Sequence, residues 1–174
     1  MDKDKPDDIY GDFWLYLSKP QQDLILEGDY LLNNIIKQSP YSFQDYSFLV
    51  FPYAKAYEGY LKMVFFDAGF ISHLDYISDH LRLGKLMSPN IAERLGERSL
   101  YFKIKKHVNV ELADMVWDGW RLGRNEIFHY FPHNLRSISF TQAEAIISQL
   151  LRTMEQTYIG LKPLLKHDPH SVQS

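Results

Sequence analysis

The sequence predicts an all-α fold, a bundle of about five helices. Three observations carry this. Apolar residues recur at three- and four-residue intervals over two long stretches, 110–131 and 142–161. Helix-start signals precede several apolar runs, and prolines follow their ends. Alternation of the kind a strand requires appears only once, at 100–109, with no second strand to pair with it.

Residues 1–17 read as a flexible N-terminal segment, polar over the first ten positions. Ser18-Lys19-Pro20 then resembles a helix start, with a capping oxygen and a proline in the first turn. Leu24, Leu31 and Ile35 follow at helical spacing, which predicts a helix over about 20–38, stopped by Pro40. Ser42-Phe43-Gln44-Asp45 is a second capping signal for a helix reaching about Gly69. Pro52 lies inside that helix and requires a kink or a fresh start, because it lacks an amide hydrogen and clashes with the preceding turn.

Shorter helices are expected at 73–84 and 89–97, and 100–109 (LYFKIKKHVN) reads as a loop or a lead-in. The helix over 110–131 carries Leu112, Val116, Trp117, Trp120 and Ile127, and Pro132 stops it. Thr141-Gln142-Ala143-Glu144 has the form of a capping box for the last helix, 142–161. A flexible tail is expected over 163–174, leaving 18–162 as one helical domain.

Composition narrows the function. The chain has 174 residues, a formal net charge of −3 and no cysteine. Disulfides, thiolate zinc sites and cysteine nucleophiles are thereby excluded. A pI of about 6.1 excludes nucleic-acid binding by bulk charge, so any such contact must be a local patch. The charged start MDKDKPDD shows no signal peptide, and no apolar run approaches the roughly 20 residues that span a bilayer. A cytoplasmic protein with no membrane partner is expected. Twelve tyrosines and 11 phenylalanines supply a core and leave apolar surface for an interface.

The chemistry-bearing run is Arg124-Asn125-Glu126-Ile127-Phe128-His129. Histidine is the side chain whose unperturbed pKa lies nearest neutrality, which suits proton transfer. A guanidinium keeps its proton and can grip a phosphate through two hydrogen bonds. Asn125 can orient the imidazole or bind a phosphate oxygen. On a regular helix Arg124 and His129 stand about 140° apart, whereas Asn125 and His129 share a stripe with Arg121. Three arrangements would unite Arg124 with His129: a side chain wrapping across the helix, a distorted last turn before Pro132, or two chains pairing. The plainer reading gives His129 a helix-end role and Arg124 a surface ion pair.

Arg124-Asn125-x-x-x-His129 resembles the Arg-x(4–6)-His motif of HEPN domains, where a polar residue commonly follows the arginine. Phe51-Pro52-Tyr53-Ala54-Lys55-Ala56-Tyr57-Glu58-Gly59-Tyr60-Leu61-Lys62 resembles the corresponding helix of RNase LS-type toxins. The likeness spans residues 20–162 in outline.

The resemblance implies a HEPN-like bundle and a metal-independent endoribonuclease of toxin–antitoxin or phage-defence type. It implies RNA as substrate, a homodimer and an antitoxin protein as partner. Arg124 would stabilise the phosphate and His129 act as general acid and base. Glu58 would be the acidic member, fixing the imidazole tautomer. A related subset carries a tyrosine two residues after the histidine as a target of adenylylation. Phe131 stands there in this chain, with Tyr130 one place earlier, so that modification is not expected.

Lys103, Lys105 and Lys106, with Tyr101, Phe102 and His107 beside them, form a candidate RNA-binding patch together with Arg121, against the alternative of a solvated loop. His129 and His133 have metal-ligand spacing, but Pro132 interrupts the helix between them, and His167 and His170 fall in the tail. No metal and no cofactor are expected. The alternative to the enzyme is a catalytically silent helical module that binds a partner protein or RNA.

Overall fold

Serine and asparagine oxygens start four of the helices. Ser72, Ser99, Asn109 and Ser139 each accept the amide hydrogen three residues on, satisfying a donor that the first helical turn leaves without a partner. The computed structural model describes residues 11–129 and 132–166. Those residues form nine α-helices and no strand. In chain order they are α1 (Gly11–Tyr16), α2 (Lys19–Tyr30), α3 (Ser47–Asp67), α4 (His73–Ile77), α5 (Leu83–Met87), α6 (Ala92–Leu95), α7 (Leu100–His107), α8 (Val110–Trp120) and α9 (Phe140–Leu161). Helix α2 runs on into a π-helical stretch, Leu31–Ile36, and α8 into another, Arg121–Asn125. Among the described residues no helix is long and apolar enough to cross a membrane.

Helix α3 is the centre of the bundle, packed between α2 and α9. Tyr53, Tyr57, Tyr60, Leu61, Val64 and Phe65 of α3 are all buried. Its tyrosines also carry hydroxyls that need partners when removed from water. Each finds one on a different element. Tyr53 donates to Asp29 of α2 at 2.5 Å, Tyr57 to the Val116 carbonyl of α8 at 2.8 Å, and Tyr60 to the Met154 carbonyl of α9 at 2.8 Å. Many of the chain's aromatic rings are thus used in the core, where their hydroxyls also set the position of neighbouring helices.

The all-α expectation holds, but several boundaries move. Of the N-terminal segment expected to be flexible over 1–17, residues 11–17 are packed on the bundle. Phe13, Tyr16 and Leu17 are buried, and Phe13 meets Tyr60 edge to face at 5.8 Å. Of the tail expected to be flexible from 163, residues 163–166 are anchored. Leu164 and Leu165 pack on the core, and the Lys166 amide donates to the Asp67 carbonyl at 3.2 Å.

The second long helix starts at Ser47 rather than near 42, because the Asp45 carboxylate accepts the Ser47 amide at 2.9 Å and the Ile138 amide at 3.3 Å. It passes through Pro52 as one helix. The amide missing at Pro52 would have met Phe48, in the first turn, next to the helix start. The expected helix 73–84 is divided into α4 and α5 by extended backbone at Ser78. The stretch 89–97 is a short α6 between two 3-10 turns, Pro89–Ile91 and Gly96–Arg98. The division of 73–84, together with α1 and α7 in stretches not expected to be helices, brings the count among the described residues to nine rather than about five.

The stretch 100–109, expected as a loop or a lead-in, is helical over Leu100–His107. Leu100 and Ile104 lie four apart and are both buried, while Lys105 and Lys106 are exposed, so the apparent alternation is one face of a helix. The cap of α9 lies two residues before the expected box. Ser139 and Gln142 form it, and Phe140 enters the core edge to face with Tyr46 at 5.5 Å, which draws the helix start forward.

Candidate active-site cleft

The helix expected over 110–131 ends at Asn125. From Arg121 onwards the backbone widens, and the Glu126 amide reaches back five residues to the Arg121 carbonyl at 3.0 Å. Gly123 lies in this turn and is buried. A Cβ placed there would come within 2.7 Å of Leu150 Cδ2, so the missing side chain lets the turn sit directly on α9. A distorted turn, one of the three arrangements for uniting Arg124 with His129, is present from Arg121 onwards, but it carries Arg124 to Glu58 and leaves His129 off the cleft.

Arg124 leaves this turn towards α3. Its guanidinium lies over the Trp120 ring, 4.8 Å from the centroid, and Nη1 donates to Glu58 Oε2 at 2.9 Å. The two side chains are 44% and 32% exposed. A pair this accessible contributes at most about 1 kcal/mol, so an incoming anion can compete with the carboxylate.

Around the pair lies an open cleft of about 430 Å³, lined by Phe51, Ala54, Lys55, Glu58, Arg124 and Phe128. The four α3 residues stand at i, i+3, i+4 and i+7, a single stripe of that helix. Phe128 meets Phe51 edge to face at 5.8 Å. The Phe128 amide donates to the Arg124 carbonyl at 3.3 Å, which ties the ring's backbone to the arginine's. A second open cleft of about 530 Å³ shares Lys55 and Glu58 and continues towards Gln21, Lys62 and Tyr76.

The other sequence candidates are distributed differently. His129 is exposed in the bend after Phe128 and does not line the cleft. Among the described residues it has no hydrogen bond or ion pair. Asn125 is likewise exposed. The expectation that Glu58 orients the imidazole meets a different arrangement, in which its carboxylate is bonded to Arg124.

Arg121 is engaged by two carboxylates, Glu126 at 2.5 Å and Asp118 at 3.2 Å, which push its pKa above the usual arginine value. Lys103 donates to the Phe70 carbonyl at 2.5 Å, and Lys106 stands 3.7 Å from Glu97, while Lys105 is exposed. None of these cations lines the Arg124 cleft.

His133 has a positive φ of 59° in a 3-10 turn, so it shares no helix with His129. Among the described residues no three potential ligands cluster for a metal ion. Tyr130, Phe131, His167 and His170 lie outside the described residues.

Four contributors were not picked out from the sequence: Trp120 beneath the guanidinium, Lys55 and Phe51 on the α3 stripe, and Phe128 opposite them. The available signals were helical spacings: Phe51 and Lys55 lie seven and three residues before Glu58, and Trp120 one turn before Arg124. Comparison with family models, curated proteins and solved structures finds no match.

Proposed function

We propose that this protein is a metal-independent endoribonuclease of the HEPN type, acting in a toxin–antitoxin or phage-defence role in the cytoplasm. The observation that carries the reading is the meeting of Arg124 and Glu58, from two distant segments, in one open cleft. Trp120 supports the guanidinium from below, and one N–H is bonded to Glu58. The remaining donors of the five are available for the oxygens of a scissile phosphate.

In this reading His129 takes the proton of an RNA 2′-hydroxyl, and the 2′-oxygen attacks the adjoining phosphorus. The phosphorane's added negative charge is bound by Arg124, which exchanges the Glu58 carboxylate for it. The P–O5′ bond then breaks, a proton returns to the leaving oxygen, and the products are a 2′,3′-cyclic phosphate and a 5′-hydroxyl. Asn125 steadies the imidazole or a phosphate oxygen. Lys105 is the α7 cation best placed to hold a distant phosphate, since Lys103 and Lys106 already have partners.

A two-fold homodimer completes the site in this proposal, with His129 brought to a shared groove beside Arg124. An antitoxin protein would act by covering that groove.

The second reading is a silent helical binding module. It is favoured by the exposed position of His129 off the cleft. Incubation of labelled RNA with the purified chain, with and without EDTA, separates the two. Cleavage that survives EDTA and disappears in His129→Ala supports the enzyme. Absence of cleavage by the wild-type dimer supports the module.

A further inference from the structure

We infer that Phe51 and Phe128 form the seat for one unpaired nucleobase beside Arg124. Both rings lie on the cleft yet remain 55% and 38% exposed. Apolar surface of that size left in water within a concave site marks a place where a ligand ring gains by stacking. The rings meet at 75°, forming a corner in which a flat base can stack on one ring and pack against the other. Ala54 supplies a small floor between Phe51 and Glu58 on the same stripe.

Charge decides the kind of flat ligand. Two cations, Lys55 and Arg124, line the same small cleft, against the single carboxylate of Glu58. A planar group joined to an anion fits this combination better than a neutral aromatic or an apolar peptide side chain. The Phe128 amide bond to the Arg124 carbonyl sets the spacing of the two main-chain positions, while Glu58 and Trp120 hold the guanidinium and Phe51 meets the Phe128 ring. That is the layout of a nucleotide, with its base on the rings and its phosphate on the guanidinium.

A base held in a duplex stack cannot enter the corner without losing its pair and its neighbours, so the seat takes single-stranded RNA. Among the described residues the cleft offers, besides the phosphate-facing Arg124, Lys55 and Glu58 as its polar side chains. Recognition therefore rests on stacking, which every base supplies, and base preference is weak. The seat rests on the endoribonuclease reading for what happens to the phosphate next to it.

The test uses the full chain carrying His129→Ala and RNA hairpins with 2-aminopurine placed either in the loop or in the stem. Loop fluorescence should be quenched on binding, and stem fluorescence should not. Phe51→Ala and Phe128→Ala should each weaken loop binding by about tenfold, the order carried by one stacked base, and Phe51→Tyr should restore it. In the wild-type background the same alanine changes should raise KM more than they lower kcat.

RNA cleavage that is indifferent to both phenylalanines, or equal in stem and loop, overturns the seat and leaves the endoribonuclease reading standing. Ring-dependent quenching without any cleavage by the wild-type chain overturns the endoribonuclease reading and supports the seat. Neither quenching nor cleavage overturns both.

Discussion

Arg124 Nη1 stands 2.9 Å from Glu58 Oε2, and this bond joins the π-helical turn after α8 to the middle of α3. Beneath it the Trp120 ring supports the guanidinium at 4.8 Å. A cation held this way is preorganised but not neutralised by burial, which is the condition for receiving a phosphate.

Arg124→Ala and His129→Ala should each abolish RNA cleavage while leaving the helical circular dichroism unchanged, since both side chains are exposed. Proton transfer by a placed histidine is commonly worth about 10²–10⁴ in rate, so the loss is easily measured. Arg124→Lys should fail as well, because an ammonium cannot make the two-point contact. Retained activity in any of the three rejects the assignment.

Glu58→Ala should be milder. The carboxylate competes with the phosphate for Arg124, so its removal should tighten RNA binding by a few-fold. The change in kcat should stay under about tenfold, in keeping with an exposed ion pair. A loss as large as that of Arg124→Ala would make Glu58 part of the proton transfer itself.

Light scattering and analytical ultracentrifugation should find a dimer, and mixing His129→Ala with Arg124→Ala protein should alter activity if the groove is shared. A strict monomer at high concentration that still cleaves RNA would place the whole site in one chain.

Gly119→Ala should lower stability by about 1–3 kcal/mol, the usual cost of overfilling a packed interior. The added Cβ would lie 2.9 Å from the Tyr57 hydroxyl and 3.2 Å from its Cζ, so a rigid ring must move and its bond to Val116 is lost. Tyr57→Phe should cost less, about 1 kcal/mol, since only the hydrogen bond is removed. Urea unfolding of both variants gives the comparison.

At alkaline pH, Tyr101 should lose its proton late. Its hydroxyl donates to the Asp114 carboxylate at 2.6 Å, and that bond, with some burial and the nearby negative charge, pushes its pKa up to about 12. The unfolded value is near 10, so the folded state keeps a proton that the unfolded chain has released. This contribution to stability is complete below about pH 10 and is lost as pH rises through about 12. Asp114→Asn should return the Tyr101 phenolate absorbance towards the ordinary range, with Tyr101→Phe as the blank. An unchanged titration would contradict the assignment.

The sequence by itself determined the helical class, the approximate places of α2, α3, α8 and α9, and the residues able to do chemistry. Periodicity does this because a helix buries the same stripe whatever it packs against, as the Tyr53-Tyr57-Tyr60-Val64 face of α3 illustrates. Local pattern failed where long-range packing set the outcome. Leu100 and Ile104 look like alternate strand positions until the core receives them from one helical face, and Phe140 moves the α9 cap by two residues by packing against Tyr46. The site divides in the same way. Arg124, His129 and Glu58 are legible as residue types, but only the tertiary structure decided that Glu58 lies against Arg124, that Trp120 lies beneath it, and that His129 stands apart. Those contacts depend on a π-helical turn seated against Leu150 of α9, and the direction of a side chain after such a turn is set by the neighbour it rests on, not by its own spacing.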